Sequence, residues 1–169
     1  MAKKPLLYLF LLLLPALQMC TVGYSFTGAD IPAQAKTFSV KTFQSATALA
    51  PSNYRQTISE NLKDLMLSQT RLDLVEKRGD LQYEGTVTYY EVGSAAISAD
   101  ETTSLNRLTI EVRVKYINTF DRDKNFEKNF RRYADFPSSQ DINAVEASLI
   151  EEINEQLTQD IFDASLGAW

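Results

Sequence analysis

The chain has 169 residues, 44% of them apolar and 11% aromatic, with one cysteine, no histidine and a formal net charge of −5. That supplies one packed domain, and the acidic balance excludes nucleic acid as a natural partner, because phosphate backbones are held by an excess of cations. With no histidine and a single cysteine, the common general base and the usual thiol nucleophile are missing from any catalytic scheme.

Residues 1–19 read as an export signal. Lys3 and Lys4 give a positive start, no charge follows from Pro5 to Met19, and leucine dominates Leu6–Leu17, which is the layout of a signal peptide. The apolar run contains Pro15 and falls short of the roughly 20 residues a membrane-spanning helix needs. Cys20 stands three positions after Leu17, the spacing of a bacterial Leu-x-x-Cys lipobox, although Met19 replaces the small residue usual before the cysteine. Cys20 is therefore the expected lipidation site, and several acyl chains on it anchor stably at about 0.8 kcal/mol per buried methylene. A lone lipidated cysteine forms no internal disulfide, so stability has to come from the core. Once the signal is removed, 15 basic residues face 22 acidic ones, a charge of −7.

Residues 20–35 are the expected tether, with Tyr24, Phe26 and Ile31 available to pack on the domain that occupies residues 36–169. Alternation from Lys36 to Phe43, with Phe38 and Val40 on one side, predicts a first strand. Pro51 opens a helix whose Tyr54, Ile58, Leu62, Leu65 and Met66 form an apolar stripe. A short β-like run, Leu72–Val75, precedes a turn at Lys77-Arg78-Gly79-Asp80. A strand over Leu81–Val92 follows, then a loop over Gly93–Ser104. Arg107–Asn118 is the clearest strand: Leu108, Ile110, Val112, Val114 and Tyr116 share one face, and Arg107, Thr109, Glu111, Arg113 and Lys115 share the other. The polar turn at 121–125 returns the chain into a fourth strand over Asn125–Ala134. A capping signal at Ser138–Asp141 then opens a helix that buries Ile142, Val145, Leu149, Ile153, Leu157 and Ile161. The order β-α-β-β-β-α predicts an α+β fold, a two-layer sandwich with two helices packed on one face of a four-stranded mixed sheet.

No phosphate-binding loop, dinucleotide fingerprint, nucleophile elbow or zinc-protease motif occurs, and no cofactor or metal is expected. The acidic last helix reads as a solvated outer face. The cations are more informative. Arg107, Arg113, Lys115, Arg122, Lys124, Lys128, Arg131 and Arg132 are concentrated in 26 residues against only four carboxylates, so the third and fourth strands are positive on an otherwise acidic molecule. Arg107, Arg113 and Lys115 on one strand face, joined by Arg131 and Arg132 from the next strand, are candidate contacts to an anionic group or a partner. Cations also guard exposed sheet edges, and both readings stand. Phe126, Lys128, Phe130 and Arg132 would share one face of the fourth strand.

Four segments resemble the LptE-like lipopolysaccharide-assembly lipoproteins: Cys20-x-x-x-Tyr24-x-Phe26-x-Gly28-Ala29-x-Ile31, Leu105-Asn106-Arg107-Leu108-Thr109-Ile110, Arg132-Tyr133-Ala134-Asp135-Phe136 and Leu149-Ile150-Glu151-Glu152-Ile153. The resemblance implies two helices on a four-stranded sheet. It also implies a non-enzymatic role at the outer membrane: plugging the β-barrel LptD, supporting its assembly, and binding lipopolysaccharide on its way to the surface. In that setting the domain lies on the periplasmic side or inside the barrel lumen. The competing expectations are a free periplasmic lipid-binding or chaperone lipoprotein without a barrel, and a lipid-anchored hydrolase.

Overall fold

The computed structural model describes residues 30–95 and 104–167. The predicted export signal, Cys20, the aromatics Tyr24 and Phe26 of the predicted tether, and residues 96–103 of the predicted Gly93–Ser104 loop lie outside the described residues. The elements are β1 (Thr37–Val40), β2 (Gln44–Ser45), α1 (Tyr54–Gln69), β3 (Asp73–Leu74), β4 (Leu81–Ser94), β5 (Leu105–Asn118), β6 (Phe126–Pro137) and α2 (Ile142–Leu166). The sheet runs β3-β1-β4-β5-β6, with β2 continuing beside β4. Strands β1, β2 and β3 pair parallel to their neighbours, and β4, β5 and β6 form an antiparallel meander.

This is the expected α+β sandwich on a mixed sheet, with two short strands more than the four counted from periodicity. The run Leu72–Val75 contributes β3. The predicted strand Lys36–Phe43 ends early, at Val40 of β1, and β2 begins just past its predicted end; Val40 pairs with Tyr83 and Gln44 with Thr86, so one residue is looped out between them. Phe43 occupies the break. Its ring is buried, its N–H donates to the buried Ser59 Oγ at 2.9 Å, and a Cβ on Gly85 would lie 2.3–2.5 Å from its ring atoms. Gly85 thus leaves open the space that the ring fills.

A second irregularity sits in β4. Val87 pairs with Val112 and Tyr89 with Glu111, so Thr88 is an extra residue and the alternation changes phase. Leu81, Tyr83 and Val87 face the helices before the bulge and Tyr90 does so after it, which turns Tyr89 and Glu91 to the open face.

Both helices follow their predicted stripes. Tyr54, Ile58, Leu62 and Met66 of α1, and Leu149, Ile153, Leu157 and Ile161 of α2, are buried against Phe38, Leu81, Leu108, Ile110, Val112 and Val114 of the sheet; Leu65, Ile142 and Val145 are only partly buried. Asp141 caps α2, its side chain accepting from the Asn143 N–H at 2.9 Å, which satisfies one of the helix's free donors. Between the helices the Tyr54 hydroxyl donates to Asn154 Oδ1 at 2.7 Å. No helix among the described residues is long and apolar enough to cross a membrane.

Candidate functional site

Covering one face of the sheet with helices leaves the other face of β4–β6 uncovered, and its side chains are read from the register. Arg107, Arg113 and Lys115 point to this face from β5, as their alternation predicts, and Arg131 joins them from β6. Arg132 does not. It lies on the helix side, where Nε and Nη2 grip Asp160 of α2 at 2.6 Å each, a bidentate pair that ties β6 to its helix. The pair raises the Arg132 guanidinium pKa through the hydrogen bond with Asp160. Four of the five predicted contact residues therefore share one face, and the fifth fastens the two layers together.

On the open face three of the four cations already have polar or aromatic partners. Arg107 holds Asp135 through Nε at 2.6 Å and Nη2 at 2.8 Å, and its guanidinium lies 3.6 Å from the Tyr133 ring centroid. The Arg107 hydrogen bond lowers the Asp135 carboxyl pKa below the usual range. Arg131 sits 4.7 Å from the Tyr89 ring centroid, and the Tyr89 hydroxyl donates to Glu91. Glu111 accepts from Thr88 Oγ1 and from Asn129 Nδ2, both at 3.1 Å, and Arg113 Nε donates to Asn129 Oδ1 at 3.3 Å. Lys115 stands in register between Glu84 and Glu127. These four cations share the surface with five carboxylates, Glu84, Glu91, Glu111, Glu127 and Asp135, so the face carries a net −1. A depression of about 170 Å³ on this face is lined in part by Thr42, Arg113, Lys115 and Glu127.

The face is thus a flat, cross-strand ladder of polar and aromatic side chains, amphipathic in the way protein interfaces are. Sequence reasoning took the positive charge of β5 and β6 at face value, because Arg107 and Asp135 are 28 residues apart and only the hairpin register sets them opposite each other. It also missed Tyr89 and Glu91, since the bulge at Thr88 carries no sequence signature. Elsewhere, burial raises the Tyr116 phenol to about 12 and pushes the phenols of Tyr54 and Tyr83 higher still; the Tyr54 hydroxyl donates to Asn154 Oδ1 and the Tyr83 hydroxyl lies 2.9 Å from Ser165 Oγ.

The entry of the chain into the domain is also fixed. The Asp30 N–H donates to the Leu166 carbonyl at 2.6 Å, and its carboxylate pairs with Lys124 Nζ at 2.5 Å. The tether therefore joins at the pole formed by the β5–β6 turn and the end of α2. Asp30 is ten positions after Cys20, the predicted lipidation site, which limits this pole to about 35 Å from it.

A family model described as LptE, lipopolysaccharide-assembly, matches residues 35–165. Among solved structures, one from Xanthomonas campestris is 16% identical, covers 79% of this chain and 87% of its own, and superposes with a TM-score of 0.53. A hypothetical protein from Chlamydia trachomatis is 8% identical, covers 78% of this chain and 98% of its own, with a TM-score of 0.52. The rare lipoprotein B of Shewanella oneidensis is 8% identical, covers 75% of this chain and 89% of its own, with a TM-score of 0.46. No curated protein matches the chain. At these identities the first two superpositions establish the shared fold.

Proposed function

The chain belongs to the LptE lipopolysaccharide-assembly family, and from that premise we propose that it is an outer-membrane lipoprotein that plugs and supports the assembly of an LptD-type β-barrel, assisting delivery of lipopolysaccharide to the cell surface. The lipid on Cys20 restrains the domain to the membrane by its β5–β6 pole. The domain acts by occupancy rather than by catalysing a reaction. The open face of β4–β6 is the surface that meets the barrel wall.

The observation that carries this reading, beyond the family match, is the ladder on that face. A site for phosphates keeps cations free to donate, whereas here Arg107 is committed to Asp135 and Arg131 lies over Tyr89. A flat surface rich in Tyr and Arg with internally matched charge suits a polar protein wall. Rim charges of this kind govern orientation and association rate more than bulk affinity.

The test is extraction of the full-length lipoprotein from membranes in mild detergent. A barrel of the LptD kind is expected to co-purify in fixed proportion, and Arg113→Glu with Lys115→Glu is expected to lower its recovery severalfold at an unchanged melting temperature. Recovery of the wild-type lipoprotein free of any barrel would overturn the proposal. Arg107 is left intact in this variant because its pairing with Asp135 holds β5 to β6.

A further inference from the structure

A larger concave surface lies elsewhere, past the outer edge of β1. Strand β3 ends at Leu74, and residues 75–79 leave the sheet and return within two positions of β1: the Val75 N–H donates to the Phe38 carbonyl at 2.9 Å, and the Gly79 N–H donates to Ser39 Oγ at 3.2 Å. The return is close. A Cβ on Gly79 would sit 2.5 Å from the Phe38 carbonyl carbon and 2.6 Å from the Ser39 nitrogen, so the loop rests on β1 backbone to backbone. Between its two attachments Arg78 has φ 56°, a left-handed conformation that a long side chain rarely adopts.

This anchored loop walls a groove of about 770 Å³ that reaches from Lys63 of α1 on the helix side to Lys41 and Glu84 on the open side. The volume falls within the range of small-molecule sites. Four cations line it, Lys41, Lys63, Lys77 and Arg78, against two carboxylates, Glu76 and Glu84, a net +2 in a molecule that is otherwise acidic. Lys63 is held at 2.9 Å by Glu60, which is outside the lining, and Lys41 approaches Glu84 at 3.8 Å. Among the described residues neither Lys77 nor Arg78 is engaged in an ion pair. The groove thus combines concavity with two cations outside any ion pair, Lys77 and Arg78, on a loop attached to β1 at both ends.

We propose that the groove beside β1 binds a compact polyanion carrying two phosphates, a diphosphate or a doubly phosphorylated saccharide, with Lys77 and Arg78 of the 75–79 loop on one side and Lys41 and Lys63 on the other. Two phosphates carry about −3 to −4 at pH 7 and would face the four lining cations, which hold them by charge-assisted hydrogen bonds, with Arg able to offer two at once. The groove adjoins the face assigned to the barrel at Glu84, but Lys77 and Arg78 lie outside that face, so either assignment survives failure of the other.

Isothermal titration of the full-length lipidated protein in neutral detergent tests it, with pyrophosphate and glucose 1,6-bisphosphate as probes. Saturable binding of at least one probe is expected, weakening as salt rises. Arg78→Gly, which the left-handed backbone accepts, and Lys77→Gln are each expected to weaken it about tenfold, while Arg113→Gln on the open face changes it less than twofold. Displacement of pyrophosphate by purified lipopolysaccharide would support the groove as a reader of a glycolipid headgroup; pyrophosphate binding that lipopolysaccharide leaves untouched would support it as a site for a free anion. No saturable binding of either probe, or equal losses in Arg113→Gln and Arg78→Gly, would overturn the proposal.

Discussion

The open face of β4–β6 and the groove beside β1 each carry four cations, yet they are electrostatic opposites. On the open face antiparallel register sets Asp135 opposite Arg107, Arg131 opposite Glu111, and Lys115 between Glu84 and Glu127, so charge is cancelled across strands and the surface is net negative. In the groove the cations come from the break between β1 and β2, a helix and a loop, with no ladder to bring carboxylates opposite them. The lesson is that a run of Arg and Lys in a strand measures the field poorly, because the same regularity that exposes a cation lines up its partner. Positive potential survives where elements meet irregularly.

The largest expected effect breaks both regions together. Gly85→Leu would drive a side chain into the Phe43 ring, whose atoms already lie 2.3–2.5 Å from where a Cβ would stand. Phe43 sits at the β1–β2 break, and β4 is the strand that the groove and the open face have in common. A loss of about 3 kcal/mol in urea unfolding is expected, at the upper end for overpacking, with barrel recovery and polyanion binding both lost. A stability within 1 kcal/mol of wild type would mean that the ring does not depend on that space.

A smaller change separates the two regions. The Asp80 carboxylate accepts from the backbone N–H groups of Lys36 and Thr37 at 2.9 and 3.0 Å and from the Thr37 hydroxyl at 2.9 Å, clamping the start of β1 one residue after the loop returns at Gly79. The hydrogen bond from the Lys36 N–H, chief among these, lowers the Asp80 pKa below that of an ordinary aspartate. Its stabilisation is therefore present at neutral pH and is lost as pH falls through the aspartate range near about 4 and below. Asp80→Asn is expected to cost about 1 kcal/mol at pH 7 and to weaken polyanion binding without reducing barrel recovery. The stability gap to wild type should narrow between pH 7 and pH 3 in matched urea titrations; a constant gap would assign the loss to packing rather than to the ionised clamp.

How far the sequence discloses each region follows from the same contrast. The stripes of α1 and α2 and the alternating faces of β5 are local periodicities of 3.6 and 2, so the layers and the outward direction of Arg107, Arg113 and Lys115 are legible without coordinates. The matching of those cations is not, since Asp135 and Asp160 come from other strands or helices and are placed by register and packing. The phase change at Thr88 hides Tyr89 for the same reason. The groove is less legible still: Lys41, Lys63 and Lys77 are separated by 22 and 14 residues, and nothing before the fold says that they meet. The one local clue is Lys77-Arg78-Gly79-Asp80, read as a turn, in which the arginine rather than the glycine takes the left-handed conformation because Gly79 is required for the close approach to β1.

That exchange of roles gives the smallest and most discriminating effect. Arg78 at φ 56° carries a conformational cost of roughly 1 kcal/mol, which Arg78→Gly removes, while glycine adds about 0.5–1 kcal/mol of backbone entropy to the unfolded chain. The two terms nearly cancel, so the unfolding free energy of Arg78→Gly should stay within about 0.5 kcal/mol of wild type. Arg78→Ala keeps the strained conformation and removes only the guanidinium, so it should be no more stable than the glycine variant. If Arg78 serves a ligand, both variants lose polyanion binding equally and their stabilities do not follow the loss. If Arg78 instead braces the loop, stability and binding fall together and alanine falls furthest. Urea unfolding and titration on the three proteins separate these outcomes, because the glycine variant removes the charge while relieving the backbone, a combination that a purely structural arginine would register as a loss of stability.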